Sequence, residues 1–115
     1  MVTADIRRAL EDFERVLIQN GVPVERLVLY GSQARGDANE WSDIDVLVVL
    51  HLPESEVTRA TSRNVWGLSA QCDSRLEPVV CSVDELNSSW RPIIGIAMQE
   101  GVDLRDIPRG EAAAA

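Results

Sequence analysis

Asp43 and Asp45 stand two residues apart at the head of a strongly apolar run, Ile44-Asp45-Val46-Leu47-Val48-Val49-Leu50. If that run is a β-strand, the alternation of side chains turns both carboxylates to one face. Two ionised carboxylates so close repel each other, and burying them uncompensated is costly. A divalent cation between them removes the repulsion, and magnesium takes one or two carboxylates together with phosphate oxygens. On its own the pair is more simply the polar mouth of a strand, with both groups in water. Gly31-Ser32 changes the balance, because it follows a second apolar run, Leu27-Val28-Leu29-Tyr30, and opens a helical turn, Gln33-Ala34-Arg35. Backbone N–H groups freed at such a step, aided by the serine hydroxyl, suit phosphate oxygens. Glycine also lets the backbone approach a ligand closely. A Gly-Ser step alone is common; beside a carboxylate pair it supplies the other half of a triphosphate clamp.

These groups need a scaffold, and the sequence predicts one in order. Thr3 caps a first helix whose apolar residues Ile6, Leu10, Phe13 and Leu17 recur at helical spacing, and Asn20-Gly21 with Pro23 ends it. Strands follow at Leu27–Tyr30 and Asp43–Leu50, the second rich in β-branched residues. A weakly patterned helix is expected over Ser55–Gln71 and a third strand over Leu76–Cys81, where Pro78 requires an edge position or a bulge. Ser82-Val83-Asp84-Glu85 matches a capping box, and Pro92 opens a last helix that Gly101 closes. The expected architecture is α/β: a three- to four-stranded mixed sheet flanked by helices. Residues 1–104 form the expected domain, and 105–115 a flexible C-terminal tail with too little to bury.

Composition sets outer limits. The 115 residues, 45% hydrophobic and 26% charged, suit one soluble globular domain. The longest apolar stretch, Val46–Leu50, is far too short to span a bilayer, and the N-terminus has no signal-peptide pattern. Cys72 and Cys81 lie outside any metal or redox spacing and read as free thiols, which makes the cytoplasm the expected location. The net charge of -8 weighs against a long nucleic-acid substrate, since no broad basic face is available to grip a phosphate backbone. A basic protein partner would suit such a surface.

Gly31-Ser32-Gln33-Ala34-Arg35-Gly36, a polar spacer, and Ser42-Asp43-Ile44-Asp45-Val46-Leu47-Val48 together resemble the signature of the DNA polymerase β-like nucleotidyltransferases. The nearest form is the minimal nucleotidyltransferase domain of bacteria and archaea, often encoded beside a HEPN-domain partner. The resemblance implies the small nucleotidyltransferase fold and a third carboxylate on a neighbouring strand. Glu77 occupies the matching place, although aspartate is commoner there, and Asp73 is the fallback. It further implies two Mg2+ ions held by Asp43, Asp45 and Glu77, with ATP as donor and its phosphates on Gly31 and Ser32. Arg35 would reach the triphosphate or else pair with Asp37 or Glu40. Trp41 is expected to anchor its loop, His51 to be solvated, and Trp66 and Trp90 to fill the core or a partner interface.

Three functions fit these expectations. In the first, the domain is an antitoxin that moves AMP from ATP onto a tyrosine hydroxyl of a HEPN-domain ribonuclease toxin. The lack of an acceptor-binding domain after Gly101 favours it, because a bare catalytic module needs an acceptor with its own surface. In the second, it masks the toxin sterically, with catalysis secondary or lost. In the third it modifies a small molecule of the aminoglycoside type, with a dimer supplying the missing acceptor surface.

Overall fold

Helix α1 (Ala4–Gln19) begins where the Thr3 side chain accepts a hydrogen bond from the Ile6 N–H, and Ile6, Ala9, Leu10, Phe13 and Leu17 form its buried face. The structure, a computed structural model, describes residues 2–39, 41–87 and 90–108. After α1 come β1 (Val24–Tyr30), the four-residue turn of helix α2 (Ser32–Arg35) and β2 (Ile44–Leu50). Helix α3 (Arg59–Cys72), β3 (Leu76–Ser82), α4 (Pro92–Glu100) and the short β4 (Val102–Asp103) complete the order.

The four strands make one mixed sheet in the order β3-β2-β1-β4. β1 runs antiparallel to β2 and β4, and β2 runs parallel to β3. The expected α/β class and mixed sheet are therefore present, and β4 is the fourth strand. Two residues of strand carry no readable period, so β4 had no signal of its own.

The central strand β2 is covered on both sides. Ile44, Val46, Val48 and Leu50 pack with α1, α3 and alternate residues of β1 and β3. Leu47 and Val49 pack on the other face with Val28, Tyr30, Cys81 and the α4 residues Ile94 and Ala97. This double burial explains the unbroken apolar run, which belongs to a strand with no solvent face. Asp45 is the exception, and by alternation it lies on the α4 side at the end where the strand leaves the core.

Pro78 sits on the edge strand β3, as its missing N–H requires. Two positions on, the Val80 carbonyl accepts a hydrogen bond of 2.8 Å from Arg91 Nη2. The Ser82–Glu85 capping box is formed, with the Ser82 N–H bonding Glu85 at 2.8 Å, but it opens only a short 3-10 turn, Val83–Leu86. Likewise α3 starts at Arg59 rather than Ser55, because Thr58 and Thr61 form a reciprocal cap there.

One expectation needs correction. The segment from Arg105 was expected to be a tail, yet Leu104–Asp106 forms a 3-10 turn and Leu104 and Ile107 are buried in the α1-side core. Residues 109–115 lie outside the described residues. Of the two places expected for Trp66 and Trp90, the core is ruled out, since they are 43% and 81% exposed. On α3 the inward positions belong to Val65 and Leu68, which turns the adjacent Trp66 outward. Since Ile107 is 4% exposed, Ile107→Ala should cost roughly 2–3 kcal/mol in urea unfolding, whereas a frayed residue would cost nothing measurable.

Candidate active site

The pairing of the strands assembles the site. In the register of β1 with β2, Tyr30 lies opposite Asp45. In the register of β2 with β3, Asp45 lies opposite Glu77. The chain therefore leaves β1 at Gly31 directly beside the carboxylate of the neighbouring strand. Gly31 has φ +74° and ψ -155°, a conformation essentially confined to glycine. A Cβ at this position would collide with Asp45 Oδ2 and lie 3.2 Å from its Cγ. The glycine is thus required twice over, by its backbone angles and by the side chain it faces.

Asp43, just before β2, is exposed, while Asp45 and Glu77 are half-buried. Burial and the charge of Asp43 push the Asp45 carboxyl above its ordinary range, with Arg35 opposing and Glu100 adding to the rise. Glu77 is pushed up by burial, by the charge of Asp43 and a hydrogen bond with it, and by Asp45. Tyr30, which borders this acidic group, is raised to about 12 by burial and by Asp45, Glu77 and Glu100. These shifts share two causes, burial first and then negative charges gathered at one end of the sheet with little positive charge among them.

Such a donor set fits a hard divalent cation, which would cancel the repulsion that raises Asp45 and Glu77. Among the described residues, however, no group of three His, Cys, Asp or Glu side chains is arranged to hold a metal ion by itself. The fit is to the magnesium pattern of one or two carboxylates completed by phosphate oxygens, rather than to an all-protein cage.

The other expected residues separate clearly. Asp73 is the C-cap of α3 and is paired with Arg75 at 2.7 Å, and Arg75 also reaches Asp5 at 3.0 Å. The fallback carboxylate is thus committed elsewhere, and Glu77 is the one brought to Asp45. Arg35 pairs with Asp37 at 3.1 Å and with Glu100 at 3.4 Å, at the rim of the site. Glu40, its other expected partner, lies outside the described residues. Trp41 does not anchor its loop by packing, being 85% exposed; Asn39 holds the turn by accepting from the Trp41 N–H at 2.8 Å. His51 is exposed, 3.6 Å from Glu25.

Two residues at the site had escaped notice. Tyr30 was read only as the end of a strand. Glu100, the last residue of α4, accepts a hydrogen bond of 3.0 Å from the Gly31 N–H as well as its contact with Arg35. No local pattern marks it, because the contact joins residues 69 positions apart.

A sequence model of the nucleotidyltransferase domain family matches residues 7–92 of the 115. The chain belongs to that family. The match includes Gly31, Ser32, Asp43, Asp45 and Glu77 but ends at the start of α4. Among solved structures, the chain is similar to a candidate nucleotidyltransferase from Sulfolobus solfataricus, with a TM-score of 0.57 and 18% identity over 86% of this chain and 78% of the other. At that identity the likeness speaks for the fold. No curated protein matches the sequence.

Two outcomes follow. Gly31→Ala should destabilise the fold by about 1–3 kcal/mol in urea unfolding, the cost of one forced backbone conformation with its clash unrelieved. Asp45→Asn should act in the opposite sense. A carboxyl whose native pKa lies above its unfolded value makes the fold lose stability as pH rises through that interval. Metal-free Asp45→Asn should therefore be more stable than the parent at neutral pH, with the gain vanishing below the ordinary carboxylate range. Thermal unfolding at pH 7 and pH 3 checks this, and an equal gain at both would refute it.

Proposed function

We propose that this nucleotidyltransferase transfers AMP from ATP to a hydroxyl group of a partner protein, and that it serves as the antitoxin to a HEPN-domain toxin. The observation that carries the transfer chemistry is the convergence of Gly31 with Asp45 and Glu77 at the open end of the sheet. The choice of a protein acceptor rests on the resemblance of the two motifs to minimal nucleotidyltransferases. The acidic balance of the chain, -8 overall, supports a basic protein surface as the docking partner.

In this reading Asp43, Asp45 and Glu77 are the residues that would hold magnesium, which when bound supplies charge neutralisation at the triphosphate and acidifies the acceptor hydroxyl. Gly31 and Ser32 hold the terminal phosphates through backbone N–H groups and the serine hydroxyl. Their rigid backbone fixes the α-phosphorus for in-line attack by the acceptor oxygen, with pyrophosphate leaving on the opposite side. Glu77, which the strand register sets beside Asp45, or a metal-bound water takes the hydroxyl proton. Catalysis is then chiefly positioning and charge stabilisation.

The test mixes the purified chain with α-labelled ATP, magnesium and the HEPN protein encoded beside it. Label should pass to the partner and fall by at least about a hundredfold with Asp45→Asn, the scale of losing a main electrostatic group. Label on a small hydroxyl compound instead would overturn the protein acceptor while keeping nucleotidyl transfer. Neutralisation of the toxin by Asp43→Ala would overturn the catalytic antitoxin role.

A further inference from the structure

The phosphate side of the site is already in contact with an anion from the chain itself. Glu100 Oε1 takes the Gly31 N–H at 3.0 Å and lies 3.4 Å from Arg35 Nη1. These are a donor and a cation that an incoming triphosphate would use. The placement of Glu100 is fixed by the backbone that follows. A Cβ at Gly101 would collide with the Ala97 carbonyl and Val28 Cγ1 and lie 3.0 Å from the Leu29 carbonyl. The end of α4 is thereby drawn tightly against β1, one step from Gly31.

The local field does not favour a carboxylate here. Glu100 is the last residue of α4, whose last turn contains no basic residue, and the negative end of a helix dipole repels an anion. Its charge is also felt by Asp45 and Tyr30. Against these stand one backbone N–H and a guanidinium that it shares with Asp37. With its side chain 30% exposed, Glu100 also has a route outward into water.

From this geometry we infer that Glu100 is an affinity-determining residue that competes with the nucleotide's phosphates for the Gly31 N–H and Arg35. Nucleotide enters by displacing the carboxylate. The residue thus lowers the affinity of the site for phosphate groups that need the same two partners. This inference rests on the nucleotidyltransferase reading of the site.

Binding of a non-hydrolysable ATP analogue with magnesium, measured by calorimetry, tests it without requiring turnover. Glu100→Gln retains an acceptor for the Gly31 N–H but removes the charge, and Glu100→Ala removes both. The dissociation constant should fall by roughly two- to fivefold in Glu100→Gln, the size expected for one partly exposed charge contact, and at least as far in Glu100→Ala. Inorganic tripolyphosphate should show the same order. A Glu100→Gln affinity equal to the parent, with weaker binding in Glu100→Ala, would make Glu100 a pin for Gly31 and overturn the competition. Weaker magnesium-dependent binding in both would make it a cation ligand and overturn it equally. If the parent chain and both variants bind no nucleotide, the nucleotidyltransferase reading fails and takes this inference with it. Unchanged thermal midpoints establish that the variants are folded.

Discussion

Asp45 and Gly31 occupy space that only one of them could fill with a side chain. Every other part of the site depends on that exclusion. The antiparallel register of β1 and β2 sets Tyr30 opposite Asp45, so the next residue must pass across the carboxylate. A slip by one place would turn Asp45 from the α4 side into the core packed by α1 and α3, where burying a carboxylate is costly. The hydrophobic core therefore fixes the distance between the Gly31 turn and the carboxylates.

The same arrangement leaves the site electrostatically unfavourable on its own. Burial and mutual repulsion raise Asp45 and Glu77, and the buried phenol of Tyr30 responds to the same charges. Arg35 is the nearest relief, but it is divided between Asp37 and Glu100 at the rim. A fold this small keeps such a cluster because it is attached to a central strand with no solvent face, where packing resists local rearrangement. Stability in the core and discomfort at the strand end are two properties of one element.

How far the sequence revealed this depends on the range of each signal. The α1 cap, the apolar run of β2, the edge placement of Pro78 and the Pro92 helix start are local, and each was readable from a few neighbouring residues. The motif around Gly31 and Asp45 was readable because both of its halves flank apolar strands. Glu77 needed the parallel register with β2, which spacing alone does not supply. Glu100, β4 and the burial of Ile107 were invisible because each is created by contact with elements remote in sequence. For Trp66, hydrophobicity alone left core and surface equally open, and the helix register that turns Val65 and Leu68 inward decided for the surface.

The outer edge of β3 has a consequence for how this molecule can meet others. Pro78 removes a donor from that edge, and the guanidinium of Arg91 already occupies the carbonyl of Val80. The opposite edge is the two-residue β4. Among the described residues, the β3 border is therefore interrupted as a ladder of donors and acceptors, and the β4 strand is short. A strand from another molecule would find little continuous main chain on the β3 border to pair with.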